Sequence, residues 1–153
     1  MSKIPTDLLK YELRKLQIKL AEESRSSYLT FVKKVWPDFI AGSHHKIFAQ
    51  KLEDVSRGKI KRLIINMPPR HTKSEFASHL FPAWMMGRNP KLKIIQTTHT
   101  AELSYNFGRK VRNLFDQDEF KTVFPDVTLS QDSKAAGRFT TNKGGEYFAA
   151  GVG

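Results

Sequence analysis

The 153-residue chain contains no cysteine. A disulfide framework and a zinc site built from thiolates are therefore excluded, and the composition suits a reducing compartment. No apolar run approaches the roughly 20 residues needed to cross a bilayer. The first residues also lack the charged-then-apolar order of a signal peptide. We therefore expect a protein that is neither secreted nor embedded in a membrane.

Acidic residues are scarce relative to basic ones. The chain has 15 Asp and Glu against 26 Lys and Arg, which gives a net charge of +11. Such an excess favours a polyanionic partner, because neutralising phosphates and releasing counterions drives binding to nucleic acids. A soluble protein with an acidic protein partner would show the same imbalance. The hydrophobic fraction of 39% nevertheless indicates one ordinary globular domain with a core.

The first 58 residues are predicted to be helical. Leucines spaced by four and three residues form an apolar stripe on a helix over about 6–21. We expect this stripe to pack on the body, and the alternatives are a sister subunit or no partner. Further helices are predicted over 28–35, before a proline, and over about 43–58. The stripe consists of Leu9, Leu13, Leu16 and Leu20. The core positions of the third helix are predicted to be Ile47, Phe48, Leu52 and Val55.

The pattern then changes to alternating strands and helices. The short apolar run 62–67 suits a strand buried on both faces of a parallel sheet. A helix over 73–86, a strand over 92–97 and a helix over 100–115 follow. This order is typical of βαβ units, so we expect an α/β fold with a central, mostly parallel sheet flanked by helices.

The C-terminal part is predicted to form a hairpin. Residues 138–141 and 146–149 have strand character, and they flank an Asn-Lys-Gly-Gly sequence suited to a tight turn. The given sequence ends at Gly153, directly after the second of these strands. We expect the domain to be incomplete at this point.

The segment that carries chemical function lies between the first predicted strand and the following helix. It reads Met67-Pro68-Pro69-Arg70-His71-Thr72-Lys73-Ser74. In a phosphate-binding loop, backbone amides and a helix N-terminus surround the phosphates, a lysine adds positive charge, and a hydroxyl ligates Mg²⁺. Glycine usually occupies the positions of Met67 and Thr72, and a β-branched residue would be strained where φ is positive. A basic turn capped by Thr72 or Ser74 is the alternative.

The loop resembles a known family. Residues 68–75, Pro-Pro-Arg-His-Thr-Lys-Ser-Glu, are similar to the divergent Walker A loop of tailed-phage terminase large subunits, commonly Pro-Pro-Arg-His-Gly-Lys-Ser. Other segments resemble that family in the same order: 55–63, 81–84 with 89–90, 104–112 and 144–153, the last leading into Walker B. The resemblance implies a P-loop NTPase fold of the RecA-like class. It divides the chain into a helical region, 1–58, and the first part of the ATPase core, 59–153.

The family's site residues transfer to matching positions. The resemblance implies that Lys73 contacts phosphate and is catalytic, that Ser74 ligates Mg²⁺, and that the backbone from Pro69 to Thr72 forms the cradle. Arg70 would be a further phosphate contact with a catalytic role, or else a solvated or DNA-facing side chain. His71 is expected to shape the loop rather than to transfer protons.

Several other polar residues have weaker patterns. Thr97 and Thr98 end the second predicted strand, where open α/β sheets bind ligands, and the resemblance implies that they couple nucleotide state to DNA. Alternatively, Thr98 or Thr100 caps the next helix. Arg109, Lys110 and Arg112 form a basic helix face that would contact phosphates or remain solvated. The pair His44–His45 lacks a carboxylate or cysteine at ligand spacing, so a metal site is disfavoured.

The resemblance also implies function and partners. The cofactors would be ATP and Mg²⁺, and the partners would be double-stranded DNA, a portal protein and a small terminase subunit. The protein would work as a homo-oligomeric ring on the procapsid in the host cytoplasm, with no membrane contact. The full-length protein would be an ATPase and an endonuclease. The alternatives are a helicase-like P-loop ATPase and a non-enzymatic basic DNA-binding module.

Hydrolysis requires a pair of carboxylates after a buried strand, one for Mg²⁺ and one for water. Glu146 precedes its apolar run, while Asp126 and Asp132 lie in polar, turn-like sequence. In the family, Walker B, a catalytic arginine and the nuclease domain would lie beyond Gly153. We therefore predict that this chain alone binds nucleotide without robust turnover.

Overall fold

The structure, a computed structural model, describes residues 6–152, apart from the side chains of residues 132–134. Residues 1–5 and Gly153, with the features predicted from them, lie outside this description. The helices are α1 (Thr6–Ser26), α2 (Tyr28–Val35), α3 (Ser43–Ser56), a π-helical segment (Glu75–Leu80), α4 (Phe81–Arg88), α5 (Ala101–Leu114) and α6 (Asp118–Val123). The strands are β1 (Lys93–Thr98), β2 (Leu129–Lys134), β3 (Arg138–Thr141) and β4 (Glu146–Gly151). No helix within residues 6–152 is both long and apolar enough to cross a membrane.

The three predicted N-terminal helices are confirmed. The Ser27 hydroxyl caps α2 by accepting from the Thr30 amide at 3.3 Å, and α2 ends before Pro37. This helix buries Tyr28, Phe31 and Val32 completely. These three side chains of α2 are therefore part of the core of the domain.

Two predictions about apolar faces are wrong. The leucine stripe of α1 does not pack on the body, because its four leucines are between 38% and 61% exposed. The helix is anchored at its other end, where Ala21 and Ser24 are buried and the Trp84 indole donates to the Ser24 carbonyl at 2.9 Å. In α3, Ile47 is 66% exposed, whereas Phe48 and Leu52 are buried as predicted.

The sheet is mixed rather than mostly parallel. Its strand order is β1-β4-β3-β2, and only β1 and β4 are parallel. The predicted hairpin is confirmed, with Phe139 opposite Tyr147, and its tight turn makes β3 antiparallel to β4. Gly144 has φ +88° in that turn, a conformation that favours glycine. Because β2 also pairs antiparallel to β3, the expectation of a mostly parallel sheet is wrong, although the α/β class is correct.

The predicted strand at 62–67 is also wrong. This segment is not part of a sheet, although its burial alternates, with Leu63, Ile65 and Met67 packed against the core. Ile64, which lies on the other face, is 86% exposed. Within residues 6–152, no strand is paired with this segment, so its apolar residues form one covered face without a hydrogen-bonded ladder.

The helix predicted over 73–86 is present but irregular. Helical structure begins at Lys73 and continues through the π-helical segment into α4, which ends at Arg88. Pro82 has no amide hydrogen, so the regular hydrogen-bond ladder cannot continue through it. The Phe81 amide instead reaches back five residues to the Phe76 carbonyl. The π-helical turn accommodates this proline and buries Phe76 in the core beneath the preceding loop.

Candidate phosphate-binding site

The loop between the extended segment and the helix lines an open cavity. Residues 67–75 line this cavity, whose volume is about 470 Å³. That volume lies within the range of small-molecule sites in proteins. The residues predicted to bind the cofactor all line this cavity: Pro69, Arg70, His71, Thr72, Lys73 and Ser74.

The backbone of the loop alternates in handedness. Arg70 has φ +64° and Thr72 has φ +60°, and they are the only non-glycine residues with positive φ in the described chain. Alternation of left-handed and right-handed residues is the backbone pattern in which successive amide groups can point toward the same side and bind an anion. The prolines at 68 and 69 have no amide hydrogen, so the possible donors are the amides of residues 70–74.

The helix N-terminus closes one side of the cavity. The Phe76 amide donates to the Thr72 carbonyl at 2.9 Å, which leaves the amides of the preceding turn available to a ligand. Lys73 is half-buried and Ser74 is exposed. Neither the Lys73 amine nor the Ser74 hydroxyl has a partner among the side chains that the structure describes. A cation and a hydroxyl are thus available beside the amide donors.

His71 and Pro69 shape the loop. His71 Nδ1 lies 2.9 Å from the Pro69 carbonyl, which requires a proton on that nitrogen. The contact joins two residues of the same loop, and the shaping role of His71 stays a prediction. Because Pro69 lacks an amide hydrogen, its contribution is this carbonyl and its restricted φ. The Arg70 side chain is exposed at the cavity.

His45, which was not predicted to support the loop, contacts it directly. His45 is only 6% exposed, and its Nε2 lies 2.7 Å from the Thr72 hydroxyl. Its Nδ1 accepts from the Gly42 amide at 3.0 Å, so in the neutral ring Nε2 carries the proton and donates to Thr72. The Thr72 hydroxyl in turn donates to the His71 carbonyl at 2.6 Å. A continuous chain of hydrogen bonds therefore joins the start of α3 to the loop.

Burial lowers the pKa of His45, and the neighbouring His44 and His71 lower it further. Because the folded protein then binds fewer protons than the unfolded chain just below pH 6.5, stability decreases as pH falls through that range. We predict that the free energy of unfolding falls below about pH 6.5. Urea titrations of wild type and His45→Gln between pH 5 and 8 measure this, and equal pH dependence in both would contradict it.

An ion pair fixes the helix that follows the loop. The Lys110 amine donates to Glu75, and His79 Nδ1 lies 2.9 Å from the other oxygen of that carboxylate. Burial opposes ionisation of Glu75, but the hydrogen bonds from Lys110 and His79 outweigh it and lower its pKa. Lys110, predicted to contact phosphate or solvent, therefore connects α5 to the first turn of the site helix.

The other predicted polar residues lie outside the cavity. The Thr98 hydroxyl donates to the Thr100 carbonyl at 2.7 Å, and the Thr100 hydroxyl caps α5 by accepting from the Leu103 amide. Thr97 and Thr98 are the last two residues of β1, and neither lines the loop cavity. Arg109 is exposed on α5, and Arg112 donates to the Asn113 side chain at 3.0 Å. The structure thus agrees with the alternative in which Thr100 caps α5. Coupling of Thr97 and Thr98 to DNA stays a prediction.

The carboxylates do not form a hydrolytic pair at the loop. Glu146 lies at the start of β4 and pairs with Arg138 at 2.6 Å. Asp126 lines a separate cavity near α6, and the side chain of Asp132 lies outside the description. Across the described residues, no three His, Cys, Asp or Glu residues are grouped to hold a metal.

No family model, curated protein or solved structure matches this chain. A function therefore has to be inferred from its own residues and their geometry.

Proposed function

We propose that this chain binds ATP and Mg²⁺ through residues 69–74 as part of a motor that packages viral double-stranded DNA. The observation that carries the proposal is the loop itself. Its backbone alternates in handedness immediately before a helix that begins with Lys73 and Ser74. That combination supplies amide donors, a cation and a hydroxyl on one cavity, and these are the groups that a triphosphate–magnesium pair requires.

Each residue has a distinct task in this proposal. Amides of residues 70–74 would hold phosphate oxygens, and Lys73 would neutralise them. The Ser74 hydroxyl would ligate Mg²⁺, and the exposed Arg70 would reach the outer phosphate. A bound ATP–Mg supplies phosphoryl-transfer chemistry, while these residues bind and orient it. The chain alone lacks a suitable carboxylate pair at this loop in the described residues, so we expect binding without robust hydrolysis.

The assignment to a packaging motor rests on two further points. The net charge of +11 suits a partner with a phosphate backbone. The ordered segments that resemble terminase large subunits imply a portal protein, a small terminase subunit and a ring on the procapsid. A helicase-like ATPase would use the same loop, so motor type is decided by DNA translocation assays on the full-length protein.

Titration with a fluorescent ATP analogue tests nucleotide binding. We expect saturable binding that strengthens when Mg²⁺ is added, and displacement by unlabelled ATP. Binding that is indifferent to Mg²⁺ and to competing ATP would overturn the proposal. In parallel, binding to duplex DNA over a range of salt concentrations measures the contribution of the basic surface.

Replacing Ser74 with alanine tests the proposed metal ligand. We predict that Ser74→Ala weakens binding of the analogue about tenfold in Mg²⁺ and changes it little in EDTA, because one hydroxyl ligand is lost. Ser78→Ala, one helical turn further along, is the matched control and should behave like wild type. An equal loss in Mg²⁺ and in EDTA would show that Ser74 does not act through the metal.

A further inference from the structure

Thr72 has a backbone conformation that is costly for its residue type. Its φ of +60° lies in the left-handed region, where the branched Cβ of threonine is crowded. Such a conformation persists only where the surrounding structure enforces it. Thr72 also immediately precedes Lys73, so a change in its backbone would move the cation and the amides that follow. Something outside the loop must therefore hold this residue in place.

His45 is built to supply that restraint. The aromatic rings of Phe39 and Phe76 pack on its ring at centroid distances of 4.8 Å and 5.2 Å. The Gly42 amide fixes its other nitrogen, so the ring cannot turn without losing a hydrogen bond. Its Nε2 is consequently aimed at the Thr72 hydroxyl at 2.7 Å, across a separation of 27 residues.

We propose that His45 is a positioning residue that holds Thr72 in the left-handed conformation and thereby sets the phosphate-binding shape of the loop. The Nδ1 bond to Gly42 caps α3, whereas the Nε2 bond acts on the loop, so the two nitrogens have separate roles. Where glycine replaces Thr72, the left-handed conformation carries no Cβ penalty and the restraint becomes unnecessary. The loop's dependence on His45 is therefore a consequence of having threonine at this position.

Hydrogen exchange of the Phe76 amide reports on the restraint without any nucleotide. This amide donates to the Thr72 carbonyl at 2.9 Å, so movement of Thr72 exposes it. In the nucleotide-free protein, we expect His45→Ala to accelerate exchange of this amide about tenfold, the effect of losing one hydrogen bond. His45→Gln, whose amide nitrogen can still donate, should restore slow exchange.

Comparing His45→Ala in proteins with threonine and with glycine at position 72 distinguishes a positioning role of His45 from a role in packing. We expect His45→Ala to accelerate exchange when residue 72 is threonine and to have little effect in the Thr72→Gly background. Equal acceleration in both backgrounds would mean that His45 acts through the packing or capping of α3, which overturns the proposal, as does no acceleration in either. Should His45→Ala not fold, Thr72→Val removes the hydroxyl acceptor, keeps the branched Cβ, and should accelerate exchange in its place.

Affinity for the fluorescent ATP analogue is the second readout, and it alone depends on the proposed function. We expect His45→Ala to weaken binding about tenfold with threonine at position 72 and less than about twofold with glycine. If wild type binds no nucleotide while Phe76 exchange follows the expected pattern, the proposed function fails and the positioning role stands. If nucleotide binds but exchange of the Phe76 amide is unchanged in His45→Ala, the positioning role fails and the proposed function stands.

Discussion

Replacing Lys73 with alanine is expected to lower the affinity for ATP by about 30- to 100-fold. The amine is half-buried at the cavity, directly after the loop of alternating handedness, and has no partner among the described side chains. A charge-assisted hydrogen bond to phosphate is worth roughly 2–2.7 kcal/mol here, which corresponds to this change in affinity. Because the Lys73 amine makes no hydrogen bond or ion pair within the described chain, the stability of the protein should change little.

Lys143→Ala is the matched control for Lys73→Ala. Lys143 is exposed in the turn between β3 and β4, so its removal lowers the net charge equally without touching the loop. The measurement is titration with the fluorescent analogue, with thermal unfolding as a check on folding. Both variants should reduce binding to duplex DNA only slightly, by about one phosphate contact in the salt dependence. If Lys73→Ala weakens DNA binding and leaves ATP binding intact, the chain is a basic DNA-binding module instead.

Local sequence signals predicted the helical half of the fold well. The apolar pattern of 28–35 and Pro37 after it predicted where α2 lies, and both signals act within a few residues. The β3–β4 hairpin was predictable for the same reason, since its turn residues are contiguous. Features that depend on adjacent residues can be inferred from the amino-acid sequence alone.

The sheet could not be predicted in the same way. Apolar residues at 62–67 and at 92–97 look alike in the sequence, but only the second becomes a strand, because it finds β4 as a partner. Pairing is decided by residues more than 50 positions away in the chain. β2 was not predicted, because its residues, Leu-Ser-Gln-Asp-Ser-Lys, include only one apolar side chain. α6 was not predicted either, because it is only six residues long.

For the candidate site, the sequence identified the loop but not its supports. The expectation of strain at a threonine with positive φ followed from residue type, and the structure shows that φ at Thr72. The contacts that hold the loop join residues 27 and 35 positions apart, His45 with Thr72 and Glu75 with Lys110. A buried histidine among aromatic residues is also typical of an ordinary core, so no local pattern distinguished His45.

Replacing Phe76 with alanine is expected to destabilise the fold by about 3–5 kcal/mol, because a fully buried phenyl ring leaves a cavity that the core cannot fill. Phe76 is 0% exposed and lies in the π-helical segment two residues after Ser74. Its ring contacts Tyr28, His45 and Phe48 at centroid distances between 5.2 and 5.6 Å. For a domain of this size the loss corresponds to a decrease in Tm of roughly 10 °C.

Phe148→Ala is the matched control, since Phe148 is 42% exposed on β4 and its removal should cost less than about 1 kcal/mol. Urea unfolding of the two variants and wild type gives the comparison. Because the Phe76 ring supports His45 and its backbone carries the helix that begins at Lys73, nucleotide affinity should fall in Phe76→Ala even under conditions where the variant is fully folded. A folded Phe76→Ala protein with wild-type affinity would mean that the loop keeps its shape independently of the core beneath it.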